Sequence, residues 1–235
     1  MSRTFATVLA DLVRRDPGRP LVTFYDHATG ERTELSVVTY ANWVAKTASL
    51  LVEELDLERG QTARLDLPVH WLGPVLLGAA WTVGLVVTEA EDPDLVCCGP
   101  QTVGQWGAGA ADRVVLATAL HPLGQRFADP LPAGVHDLGV EVWSQPDSFA
   151  AYDPPGPDDP ATTDLTHDQM CEAATAGSLL TDGGRLLSEA NPASPSGLAS
   201  FTEPLVRGGS VVLVAHADPA RVQETYDAER ATARA

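Results

Sequence analysis

Hydrophobic positions along this 235-residue chain change their spacing several times, and each change marks an element. "MSRTFATVLADLVRRDP" holds Asp11 and Arg14 inside its apolar pattern, which predicts an amphipathic helix over 2–15. A secretory leader would need a longer uninterrupted apolar stretch. "PLVTFYD" (20–26) alternates as a strand does, and "HATGERTEL" adds a glycine turn at Gly30 and a return strand, a hairpin signal. From Ser36 the residues Val37, Tyr40, Ala41, Val44, Ala48, Leu51, Val52 and Leu55 recur at three- and four-residue steps, the mark of a helix. "TARLDLP" is a short strand stopped by Pro68. "HWLGPVLLGAAWTVG" (70–84) is apolar on nearly every side and predicts a helix buried between layers. Its Pro74 fits the first turn, where a missing N–H is harmless.

The runs "LVVTEA", "DLVCCG" and "DRVVLATAL" (112–120) are apolar and β-branched, as strands of a parallel sheet covered on both faces are. Beyond 121 the texture turns rich in Pro and Gly, with a short helix at "VEVWSQPDSF". "YDPPGPDDP" is the best internal boundary, dividing a first α/β half (1–150) from a second, smaller α/β half (151–235), unless both form one compact unit. Thr166, with Gln169 three places on, makes a capping box for a helix over 166–180. A strand, a loop and a helix follow in "DGGRLLSEANPASPSGLASFTEPL", then a buried strand in "GGSVVLVAH" (208–216). Asp218 and Pro219 open a last helix, "PARVQETYDAERATARA". Strands alternating with helices in this way predict an α/β fold, layered, with a largely parallel sheet flanked by helices.

Charge narrows the functions. A formal net charge of −17 opposes nucleic acid, anionic membrane and polyphosphate ligands, because a field of one sign repels anions at long range. The fourteen arginines are scattered along the sequence, and the single lysine, Lys46, falls on the polar face of a helix, where a solvated side chain is expected. No apolar run approaches the roughly 20 residues that cross a bilayer, so a cytoplasmic location is expected. Cys97 and Cys98 are adjacent and point to opposite faces of a strand, and Cys171 lies early in a helix. All three read as small buried hydrophobes in a reducing compartment. No Cys or His spacing suits zinc, and no metal is expected. The six histidines (27, 70, 121, 136, 167 and 216) lie far apart and read as loop or surface residues. A G-x-S-x-G nucleophile turn is absent, Ser196 reads as a helix start, and "GQWGAG" (104–109) lacks the third glycine of a dinucleotide fingerprint.

The order of elements resembles the opening of the adenylate-forming superfamily, which includes acyl-CoA synthetases and other AMP-binding enzymes. The resemblance rests on "TGERTELSVVTYANWV" and "LERGQTARLDLPVHWLGPVLLGAAWTVGLVV", then on "LTHDQM" and "LVRGGSVVLVAHADPARVQETYDAERAT". It covers about residues 20–90 and 164–232. Through "DRVVLATALHPLGQRFADPLPAGVHDLGVEVWSQPDSFA" the chain also resembles a group of shortened actinobacterial proteins known by their similarity to AMP-binding enzymes. The resemblance implies the N-terminal part of the acyl-CoA synthetase large domain.

In that superfamily a Ser/Thr/Gly-rich loop ending Pro-Lys-Gly precedes the "LTH" and wraps the phosphates of ATP. Such loops need glycines for close backbone approach and a lysine to offset charge. Here the place is taken by "DDPATTD", with no glycine between Gly156 and Gly177 and with Asp158, Asp159 and Asp164 nearby. The superfamily's later motifs and its C-terminal lysine have no counterpart in this sequence. The expectation is therefore a degenerate homologue, a pseudoenzyme with no catalytic residue and no cofactor, acting as a binding or partner module. Alternatives are a binding protein for a small acyl or adenylate-like ligand, and a partial ligase completed by another chain. Thr163 and His167 flank a helix start and are the candidate site for a small anion or ligand, against the plainer reading that this segment only caps the helix. A protein partner is expected, and a homodimer would cover a sheet edge left bare.

Overall fold

The structure is a computed structural model that describes residues 3–235. The chain begins with α1 (Phe5–Arg15), β1 (Pro20–Asp26), β2 (Arg32–Ser36), α2 (Val37–Ser49), β3 (Thr62–Asp66) and α3 (Leu72–Val83). Next come β4 (Val86–Val87), β5 (Leu95–Cys98), α4 (Val103–Gly107), β6 (Val114–Ala117), β7 (Val135–Asp137) and α5 (Leu138–Glu141). The last part holds α6 (His167–Ala176), β8 (Arg185–Ser188), α7 (Ala199–Val206), β9 (Ser210–Ala215), α8 (Pro219–Ala228) and β10 (Ala233–Arg234). Among the described residues no helix is long and apolar enough to cross a membrane.

These elements divide into two compact units, each assembled from separate stretches. The first takes the chain up to Ala41, Pro68–Pro74 and Asp168–Ala235; the second takes Asn42–Leu67 and Val75–His167. The expected boundary at 150/151 therefore does not separate them. "YDPPGPDDP" lies inside the second unit, because parallel strands need crossovers that bring distant segments into one sheet.

In the first unit the sheet order is β10-β8-β9-β1-β2, and only β1 and β2 run antiparallel. Gly30, at φ 80°, supplies the left-handed residue their turn needs. β1 and β9 sit at the centre in continuous register from Val22↔Val211 to Asp26↔Ala215, and Leu21, Val22, Val211, Val212 and Leu213 are wholly buried. Such β-branched runs form strands because both faces are covered. On one side Tyr40 lies between Phe5 and Phe201, with ring centroids 6.5 and 5.7 Å away, and its hydroxyl donates to the Pro74 carbonyl at 2.8 Å. Another cluster joins Leu187, Val212 and Val214 to Val222 of α8.

A charged network closes the same unit. Glu229 accepts from the Tyr25 hydroxyl at 2.6 Å and from Arg32 Nε at 2.9 Å, and it pairs with Arg185. Arg185 also donates to Thr23 Oγ1 at 2.9 Å, so the carboxylate and both guanidinium groups are compensated.

The second unit carries the sheet β4-β3-β5-β6-β7, parallel throughout. Val96, Cys98, Val115 and Ala117 form one of its faces, against which Trp106, Phe127 and Val135 pack. Trp106 donates Nε1–H to Asp66 at 2.6 Å, and the guanidinium groups of Arg64 and Arg113 lie 5.4 and 5.8 Å from its ring. α2 runs into one π-helical turn, Leu50–Glu54, before the chain enters β3.

Several elements differ from their expected bounds. α6 ends at Ala176 rather than 180: beyond Gly177 the Leu179 N–H leaves the helical pattern and is taken by the Glu203 carboxylate at 2.9 Å. α8 ends at Ala228; Arg230 turns left-handed at φ 51°, and the tail pairs with β8 as β10. β7 stands in the stretch read only as Pro/Gly-rich.

Candidate functional site

The segment that the resemblance sets at the superfamily's phosphate loop is a tight turn held within the second unit. Pro160 and Thr166 face each other across it, and Thr162 bridges to Val87 of β4. Ala161 and Thr162 both donate their N–H to the Leu165 carbonyl, at 2.9 and 3.0 Å. Thr162 Oγ1 in turn accepts from the N–H groups of Asp164 and Leu165, at 3.2 and 3.1 Å. This is the hydroxyl-capped turn that Ser and Thr favour. Thr163 N–H goes to the Val87 carbonyl at 3.1 Å, and Asp159 N–H to Gly156 at 3.2 Å. From Asp159 to Leu165, where Pro160 has no N–H, every backbone donor is thus engaged within the fold. Trp81, wholly buried in α3, fixes the floor by donating Nε1–H to the Ala161 carbonyl at 2.9 Å.

The charges here suit a closed turn. Asp159 accepts from Gly156 N–H at 2.5 Å and pairs with Arg59 at 2.9 Å; the first of these contacts, helped by Arg59, holds its carboxyl below the usual range. Arg59 is shared with Asp153 at 2.8 Å, so this cation is already matched by two carboxylates. Asp158 and Asp164 are exposed. An entering polyphosphate would meet carboxylates and committed amides.

Thr163 is exposed, with Oγ1 donating to Thr88 Oγ1 at 3.1 Å. His167 is fully buried, and neither ring nitrogen has a hydrogen-bond partner among the described residues. Burial lowers its pKa, partly offset by the Asp159 carboxylate, so the ring is neutral near pH 7. The two candidates therefore flank one turn but differ in access: a solvent-facing hydroxyl and an enclosed imidazole.

Other expectations need correction. His27 and His70 stand in loops, as read, but both are buried, and His167 is buried at the start of α6. His27 accepts from Asp218 N–H at Nδ1 (3.1 Å), which makes Nε2 the donor to Thr225 Oγ1 at 3.0 Å. His70 lies against Phe24 with centroids 4.7 Å apart, and burial pushes its pKa down to about 3. Lys46 is not solvated either: it pairs with Asp147 at 3.0 Å and donates to the Gln145 carbonyl at 2.5 Å, tying that loop to α2. The three cysteines are buried and unlinked, and burial raises their thiols, Cys98 to about 12. Among the described residues no group of three or more His, Cys, Asp or Glu side chains could hold a metal ion.

No family model matches the chain. It is 35% identical over 234 residues to the "TIGR03089 family protein" of Mycobacterium tuberculosis (strain ATCC 25618 / H37Rv), covering 96% of this chain and 95% of that one. The chain belongs to the TIGR03089 family. The fold of this TIGR03089 chain is that of the N-terminal portion of acyl-CoA synthetases. It superposes on the acyl-CoA synthetase of Brucella canis with a TM-score of 0.78 at 15% identity, covering 99% of this chain and 47% of that one. The N-terminal domain of FACL13 from Mycobacterium tuberculosis gives 0.72 at 16% identity over 97% of this chain and 61% of that one. Coronafacic acid ligase from Pectobacterium brasiliense gives 0.74 at 13% identity, with 97% and 49% covered. The TIGR03089 chain thus spans about half to three-fifths of the length of these structures.

Proposed function

We propose that this chain is a degenerate relative of acyl-CoA synthetases that does not adenylate a substrate and acts as a binding or partner module. One observation carries the reading: the backbone donors from Asp159 to Leu165 are all engaged internally, at the place where the resemblance puts the phosphate loop. A phosphate-binding loop works by offering free N–H groups and a cation to the anion. This turn offers neither, since Arg59 is matched by Asp153 and Asp159, and Lys46 by Asp147. Preorganised donors aimed at developing charge are the largest part of such catalysis, and a turn that must first break its own bonds supplies none of it.

Isothermal titration with ATP–magnesium, AMP and a non-hydrolysable acyl-adenylate mimic tests this. The expected result is no saturable heat from ATP–magnesium. Micromolar binding of ATP–magnesium would contradict the proposal. Binding of the mimic alone would support a small-ligand protein that has lost turnover, the second reading, for which the buried unpartnered ring of His167 beside the turn speaks.

A further inference from the structure

A cleft of about 270 Å³ opens in the first unit between α1 and the segments around the C-terminal ends of α6 and α7. Three guanidinium groups line it, from Arg3, Arg15 and Arg207, around an apolar floor of Val8, Leu12 and Val206. In a chain of net charge −17 this is an unusual concentration of positive groups. Of the two carboxylates in the lining, Asp182 pairs with Arg207 at 2.8 Å and neutralises one of the three cations, whereas Asp11 pairs with Arg14, so the uncompensated guanidinium groups are those of Arg3 and Arg15. The guanidinium groups of Arg3 and Arg15 form no ion pair among the described residues, and the Asp168 carboxylate near Arg3 accepts that residue's backbone N–H at 2.8 Å. Arg3 donates to Thr175 Oγ1 at 2.7 Å, and Arg207 also donates to the Gly177 carbonyl, so both guanidinium groups are held in place before any ligand arrives. Position at the last turn of α1 explains one cation, because the helix dipole favours it. It does not explain Arg3 before the first turn, or the gathering of all three around one hollow.

We infer that this cleft binds a small oxyanion bearing a short apolar tail, an alkyl carboxylate or alkyl phosphate. The planar guanidinium fork matches both headgroups bidentately. Val8 and Leu12, which keep 6% and 7% of their surface exposed, and the less buried Val206 leave a small apolar patch for a short tail. The volume lies just below the usual range of about 300–1,000 Å³ for drug-sized ligands, which sets the size of the occupant. This site uses other residues than the turn at 159–167, so either proposal can fail without the other.

The test is an amide-resolved NMR titration of the full chain at low ionic strength with octanoate, butyl phosphate, inorganic phosphate and octylammonium. Octanoate or butyl phosphate should give saturable shifts at Leu12, Arg15, Thr175 and Gly208, with Kd on the order of 1 mM for ligands of this size. The tighter of the two identifies the headgroup. Octylammonium should give none, and inorganic phosphate should bind more weakly than butyl phosphate. Arg15→Gln, at an exposed position, should weaken binding about tenfold while the remaining spectrum is unchanged, and Arg3→Gln should do the same. The inference is overturned if neither tailed anion saturates, if octylammonium binds as well, if inorganic phosphate matches butyl phosphate, or if both variants bind as the native chain does.

Discussion

In the turn at 159–167 the backbone donors from Asp159 to Leu165 are spent inside the fold, whereas in the cleft beside α1 the guanidinium groups of Arg3 and Arg15 form no ion pair among the described residues. The contrast runs against the resemblance. The segment that the resemblance places at the phosphate loop is closed and acidic, and the arginine-lined hollow lies where the resemblance implies no ligand site. A site is defined by donors left without partners, so ancestry of a segment and present capacity to bind are separate questions.

Breaking the support of the turn should have the largest effect. Trp81→Ala removes a wholly buried indole and the bond to the Ala161 carbonyl, and should cost about 3–5 kcal/mol in urea unfolding. Trp81→Phe, which keeps most of the volume, should recover most of that loss.

The arginines of the charged network sharpen the other side of the comparison, since Arg32 and Arg185 are compensated where Arg3 and Arg15 are not. Glu229→Ala leaves the half-buried Arg185 with only the longer ion pair to Glu34 at 3.7 Å and should cost about 3 kcal/mol. Burial alone would raise the Glu229 carboxyl, but hydrogen bonds from Tyr25, Arg185 and Arg32 outweigh it and hold the pKa below the usual value. A depressed carboxyl stabilises the fold fully above the unfolded value of about 4.3, and that stabilisation is lost as pH falls through the lower folded value. Acid titration of stability should therefore show the gap between native chain and Glu229→Gln closing below about pH 4.

Smaller effects follow at the turn's rim and in the cleft. Thr162→Ala removes the acceptor of two N–H groups and should cost about 1–2 kcal/mol, with faster amide exchange at Asp164 and Leu165. Arg15→Gln, at an exposed and unpaired position, should leave stability within about 0.5 kcal/mol, so any loss of ligand binding there is not a folding defect.

Much of this was legible in the chain itself, and the limits have physical causes. The β1–β2 hairpin announces itself through alternation and Gly30, α3 through its all-round apolar surface, and β9 through "VVLV". Such signals are local. β7 and β10 are two or three residues long and exist through pairing with distant neighbours, so no periodicity marks them. The want of glycine before "LTH" was visible, but the destination of each N–H was not, because Val87 lies 76 positions before Thr163. The basic cleft was hidden for the same reason: arginines at 3, 15 and 207 look scattered until the fold gathers them. His70 and His167 carry no local sign of burial, which neighbours elsewhere in the chain impose.

The central claim is that the turn has no donors left for phosphate. An amide NMR titration with ATP–magnesium, following Ala161 to Leu165, tests it most directly. The account predicts slow exchange at these amides without nucleotide and no saturable shift on its addition. Saturable shifts across these five amides, with new protection when nucleotide is bound, would show that the turn opens to take phosphate and would contradict it.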